Sequence, residues 1–239
     1  MLLPPGGGEV IGDSADRRVE ILSDARELHA TWSRFGPHRD GADLHVHRRH
    51  TDLFYVLEGE LTALLGPAGD PHVAPAGTLV RVPPLVVHGF RNGSDAELRY
   101  LNLHAPGEGF ADYLRAIRDG RTLVYDQEEP PADGGRSPDL AQIGGEEAVE
   151  KRPGLRIAVL ADVEEIAIAE VRCQPGVAPP PPDHPRLESF YVLEGELAFT
   201  VADHELHAVA GAWVQLPRGA RCTLEARGSG EARYLEIRT

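Results

Sequence analysis

Cysteine occurs only at Cys173 and Cys222, and two thiols make no disulfide framework. Lysine is scarcer still, with Lys151 alone; arginine carries the rest of the basic charge, which reflects genomic base composition and no function. Positive charge as a whole is in deficit. The chain has 24 Lys and Arg against 38 Asp and Glu, a formal net charge of -14. Phosphate binding needs a cationic surface, so nucleic acid is excluded as a partner. No apolar run is long enough to span a membrane. The opening MLLPPGGGEV also lacks the basic flank and apolar stretch of a secretory signal. These absences predict a cytoplasmic protein, monomer or homodimer, with small molecules as its partners. Its 239 residues suffice for one large core or two of ordinary size.

What is present centres on Leu44 to Leu61, LHVHRRHTDLFYVLEGEL. His45 and His47 are one residue apart, which an extended strand directs to the same face. Arg48 to Thr51 is polar and predicts a turn. Asp52 then leads Leu53-Phe54-Tyr55-Val56-Leu57, a run of strand formers stopped at Glu58-Gly59. A hairpin of this kind sets two imidazoles opposite one carboxylate, part of a transition-metal site. Further on, Gly77 precedes a short alternating strand, Thr78 to Val82; Pro83-Pro84 breaks it, and His88 follows.

These two stretches resemble the paired motifs of the cupin superfamily. Its first motif is HxH, three or four residues, Glu, six residues, Gly; its second is G-x5-P-x-G-x2-H-x3-N. The resemblance implies four metal ligands, His45, His47, Asp52 and His88, with Gly59, Gly77, Pro83 and Asn92 at the remaining matching positions. Asp52 stands where the family usually has Glu, and Leu85 where it has Gly. The glycine expected six residues before the first histidine is also absent. His50 falls in the turn and is expected to be exposed, a substitute ligand at most. His104 ends a strand and is expected as a satisfied histidine near a barrel rim.

The second half repeats the first. SFYVLEGEL, Ser189 to Leu197, copies LFYVLEGEL, Leu53 to Leu61; Gly77 answers to Gly211, Pro83 to Pro217 and His88 to Cys222. A repeat this long is a duplicated domain. The whole therefore resembles a bicupin, which implies an all-β fold of two tandem jelly-roll barrels (double-stranded β-helices) with a few short helices. Phe110 to Asp119 reads as one helix, with Phe110, Tyr113, Leu114 and Ile117 on one stripe and Gly120 at its stop. Tyr55 and Tyr191 read as core aromatics. Residues 125–154 are acidic and rich in Pro and Gly, as a solvated linker is. The domain expectation is 1–124 for a metal-binding barrel, 125–154 for the linker and 155–239 for a second barrel.

That second copy has Pro182 in place of the first histidine and Cys222 in place of the last, leaving His184, Glu188 and Cys222. A degenerate barrel without metal is expected there. In the first barrel one divalent transition metal is expected, from among Fe, Mn, Ni, Cu and Zn. The resemblance implies a quercetin dioxygenase-like enzyme that cleaves a small oxygenated substrate, with Asp52 as ligand and proton acceptor. The same scaffold carries isomerases, epimerases and decarboxylases, and non-catalytic ligand-binding proteins.

Overall fold

Runs such as Leu53-Phe54-Tyr55-Val56, with branched and aromatic side chains on both faces, pack well in a sheet covered on both sides. The computed structural model of the chain, which describes residues 1–179, 185–202 and 204–239, is built from such strands. In order they are β1 (Leu2–Leu3), β2 (Glu9–Asp13), β3 (Arg17–Asp24), β4 (His29–Phe35), β5 (Thr51–Glu58), β6 (Glu60–Leu65), β7 (Asp70–Pro75), β8 (Leu79–Val82), β9 (His88–Arg91) and β10 (Leu98–Ala105). Helix α1 (Phe110–Arg118) follows, then β11 (Gln142–Ile143), β12 (Val149–Arg152), β13 (Leu155–Asp162), β14 (Ala167–Cys173) and β15 (Glu188–Glu194). The chain closes with β16 (Glu196–Val201), β17 (His204–Val209), β18 (Trp213–Leu216), β19 (Cys222–Arg227) and β20 (Ala232–Arg238).

Two units result, Glu9–Gly144 and Met1–Gly8 with Gly145–Thr239. The first has a sheet ordered β11-β8-β5-β10-β4-β3-β2 and a smaller one ordered β7-β6-β9. The second has β1-β18-β15-β20-β14-β13-β12 and β17-β16-β19. Position for position these are one jelly roll used twice, so the all-β, two-barrel expectation holds. The only α-helix among the described residues is α1, joined by a single 3-10 turn at Pro138–Leu140. The expected linker is divided: 125–144 falls in the first unit and 145–154 in the second, while residues 1–8 supply the second unit's edge strand β1.

Each barrel encloses its own apolar core. In the first, Phe54, Val56, Leu61 and Val80 pack with Tyr100; in the second, Phe190, Val192, Leu197, Val214 and Tyr234 take the same places. Each such side chain, fully buried, contributes about 1.5–3 kcal/mol. Tyr55 and Tyr191 are buried, as expected. The β5–β6 and β15–β16 turns are made by Gly59 and Gly195, at φ 76 and 78, in the left-handed region that a Cβ disfavours. Leu85, at the position of the family's glycine, also holds a positive φ, 66.

Helix α1 lays Ala111 and Leu114 on Ile11, Val19 and Ile21. Arg115 and Arg118 reach Glu9 on β2 at 2.7 and 2.9 Å, and Arg115 reaches Asp24 of β3 at 2.7 Å. The helix is thereby fixed over one end of the first barrel. No helix among the described residues is long and apolar enough to cross a membrane.

Candidate metal centre

The segment carrying His45 and His47 is held extended from both sides. His45 exchanges two backbone hydrogen bonds with His88, both 2.9 Å. Val46 exchanges two with Glu128, at 2.9 and 3.0 Å. Asp52 is the second residue of β5, and its register partner on β10 is His104, whose partner on β4 is His29. Pleating sends these side chains to the same face of the sheet.

His45, His47, Asp52 and His88 come together, their nearest ligand atoms all within 4.8 Å of one another and every residue buried. The second-sphere bonds set the tautomers. Nδ1 of His45 donates to Asp43 O at 2.7 Å, that of His88 to Val86 O at 2.9 Å, and that of His47 to Asp126 O. With the proton on Nδ1, each Nε2 presents a lone pair. Nε2 of His45 and of His47 nevertheless face each other at 3.1 Å. Asp52 Oδ2 lies 3.3 Å from His88 Nε2 and 3.6 Å from His47 Nε2. Four electron-pair donors aimed at one point repel each other unless a cation sits between them. Three imidazoles and a carboxylate fit a divalent transition metal, and none of the four selects among Fe, Mn, Ni, Cu and Zn.

Burial pushes the Asp52 carboxyl up, but the imidazoles beside it, His104 first and then His47 and His88, outweigh it and hold the group well below the usual range. Its second oxygen, Oδ1, accepts from Asn102 Nδ2 and from His104 Nε2, the latter at 3.2 Å. Asp52 is therefore committed on both sides.

Behind it runs a buried chain that sequence reasoning missed. Tyr125 hydroxyl lies 2.7 Å from His104 Nδ1 and 3.0 Å from His50 Nε2; His50 Nδ1 lies 3.0 Å from Asp126 Oδ2. Asp126 also accepts from the backbone N–H groups of Arg48 and Arg49, at 3.0 and 2.9 Å. That tie folds the turn inward and buries His50 completely, against the expectation that it is exposed. His104 is a satisfied histidine as expected, but it lies against the ligand set. Tyr125 and Asp126 stand in the stretch read as a solvated linker, and Tyr125 is its one aromatic residue. That was the available signal. His47, His50 and His104 also cluster closely enough to hold an ion, yet both ring nitrogens of His50 are already bonded.

A cavity of about 270 Å³ opens beside the cluster. His45, His47, Asp52 and His104 line its floor; Phe110, Tyr113, Leu114 and Ile117 of α1 line one wall, so the helical stripe faces the site.

In the second unit Pro182 and His184 lie outside the described residues. Glu188 is buried on β15, in register with Arg238. Cys222 belongs to the apolar core, and burial, with Glu188 behind it, pushes its thiol up to about 11. Among the described residues no group of three metal-capable side chains forms in this unit.

The family profile described as a cupin domain matches residues 31–104 and again 169–238. No curated protein matches in sequence. Among solved structures, a variant of Bacillus subtilis oxalate decarboxylase is similar over 100% of this chain and 76% of its own, at 16% identity and TM-score 0.69. A putative glyoxylate-induced protein of Pseudomonas aeruginosa is similar over 100% and 88%, at 16% identity and TM-score 0.71. AerE of Microcystis aeruginosa is similar over 99% and 97%, at 14% identity and TM-score 0.71. At these identities the likeness is one of fold.

Proposed function

The chain belongs to the cupin domain family, with two copies of the domain, and from that premise we propose that its first barrel is a metal-dependent site for decarboxylating a small organic acid. The observation that carries this is the convergence of three Nε2 lone pairs and Asp52 Oδ2, each imidazole turned by a backbone carbonyl. A bound divalent ion supplies Lewis acidity, polarising a carboxylate or carbonyl oxygen of the substrate.

The residues around it divide the remaining work. The cavity next to His45, His47 and Asp52 admits a small molecule, and the apolar side of α1 walls one side of it. Loss of carbon dioxide leaves a carbanion that needs a proton. The cavity opens to solvent, which can supply one, while His104 gives its Nε2–H to Asp52 Oδ1 at 3.2 Å, with Tyr125 and His50 behind it, and so fixes the carboxylate beside the substrate. Oxygenolytic cleavage, the activity expected from the resemblance, asks Asp52 to accept a substrate proton. A carboxylate held far below its usual range, with Oδ1 tied to Asn102 and His104, is a poor base. Likeness of fold to an oxalate decarboxylase also favours the lyase reading. Dioxygenase chemistry is the second reading, favoured by the space the cavity leaves beside the ligands.

The test is metal analysis of natively purified protein with parallel assays of carbon dioxide release and oxygen uptake over dicarboxylic and 2-oxo acids. Carbon dioxide release without matching oxygen consumption is expected. Oxygen uptake with no carbon dioxide would move the dioxygenase reading ahead.

A further inference from the structure

Two arginines line the cavity, and they differ in what surrounds them. Arg39 is engaged by Asp16 at 2.8 Å. Arg17 has no carboxylate partner among the described residues, although acidic side chains outnumber basic ones across the chain. The neighbouring Arg18, on the other face of β3, is paired with Asp13 and Glu20. A half-buried guanidinium without a counter-ion is costly, since its desolvation is not offset.

The position of Arg17 is set by the sheet. It is in register with Phe35 on β4, and its guanidinium carbon lies 5.9 Å from the centre of the Phe35 ring. The ring in turn packs against Phe90 and Tyr100, at 5.9 and 5.4 Å between centroids. Arg17 is therefore held on an aromatic wall, its fork directed by a cation–π contact and left available for an anion.

The metal-side row, Asp52–His104–His29, and the Arg17–Phe35 row lie at opposite ends of β4. At about 3.3 Å per residue they are roughly 20 Å apart along the strand, a gap that the long Arg17 side chain partly closes. Thr31, Ser33 and Asn102 line the cavity between them.

We infer that Arg17 binds an anionic group at the far end of the substrate, so that the site takes an elongated organic acid with a metal-chelating head and a carboxylate tail. This rests on the metal reading above and adds the substrate class. Arg is suited to the task because its planar fork matches a carboxylate with two parallel hydrogen bonds.

The experiment is calorimetric binding to protein loaded with zinc, using 2-oxo diacids of five to eight carbons. Each is compared with the 2-oxo monoacid of the same carbon count, which keeps the chelating head and lacks the tail. The parent should bind at least one diacid about 10- to 100-fold more tightly than its monoacid, as expected for hydrogen bonds to a charged group. Arg17→Ala should abolish that preference while zinc content and monoacid affinity stay unchanged; Arg17→Lys should retain part of it. Absence of any preference in the zinc-loaded parent, or its survival in Arg17→Ala, overturns the assignment of Arg17. Failure of the metal reading looks different: the parent would take up no zinc and bind no monoacid.

Discussion

Two histidine nitrogens that both present lone pairs at 3.1 Å repel each other, and His45 and His47 are held in that state by their carbonyl partners. His88 closes the set from the far side, so His88→Ala should weaken metal binding by more than the roughly 10- to 100-fold that a lost outer-shell partner costs. Cys222→Ser, the counterpart in the other barrel, should leave metal content unchanged. Elemental analysis of the two purified variants checks both halves, and equal metal in His88→Ala would sink the ligand assignment. Acid acts on the same residues. Burial, with His88 and His47 behind it, pushes His45 down to about 3, below its unfolded value near 6.5. Unfolded chains then bind more protons as the pH drops, so this contribution to stability is complete above about pH 6.5 and lost as the pH falls toward about 3. The melting temperature of metal-free protein should therefore be level from about pH 8 to 6.5 and decline below, less steeply in His45→Gln. Equal slopes in parent and variant would refute the linkage. The ligand residues were legible because motif spacing types each one. His50 was not: its burial depends on Asp126, 76 positions away, for which no local pattern exists.

At the level of elements, tight turns and the misread linker carry the lessons. A Cβ on Gly195 would meet Glu231 O at 2.9 Å, and one on Gly59 would lie closer still to Glu97 O. Both residues have left-handed φ, which costs a non-glycine about 1–2 kcal/mol before any clash. Gly59→Ala should thus destabilise by about 2 kcal/mol or more, and Gly195→Ala by less. Urea titration of the two variants ranks them, and a reversed order would remove the steric account. The linker was read from composition, and Pro, Gly and acidic residues do dominate it. Yet one turn of it, Tyr125-Asp126, is buried because the chain behind His47, His50 and His104 needs a phenol and a carboxylate. In Tyr125→Phe, His104 Nδ1 and His50 Nε2 lose their shared partner, at a cost of about 1–3 kcal/mol. Metal content should be retained, and a variant as stable as the parent would show that the hydroxyl bonds contribute nothing net.

Across the whole chain the duplication was legible from SFYVLEGEL and LFYVLEGEL, and the strand orders of the two units repeat in step. What repetition in sequence did not reveal is the edge strand. In the first unit β11, from beyond the helix, pairs with β8; in the second the same place beside β18 is taken by β1. Leu2 packs against the second core there. Deleting residues 1–8 should therefore lower the stability of the second unit by about 1–3 kcal/mol and leave metal in the first untouched. The two tryptophans report separately, Trp32 on β4 and Trp213 on β18. With Trp32 replaced by Phe, the remaining fluorescence should move to lower denaturant on deletion; an unmoved curve would mean that β1 is dispensable.

The position of β1 also orders events during synthesis. Met1 is bonded to Gln215, 214 positions further along the chain, so a strand made early is placed beside one made late. At ordinary translation speeds the wait is on the order of tens of seconds. Throughout it β1 has no neighbour to pair with, and once β18 emerges its edge is open to any passing strand until β1, made long before, shuts it.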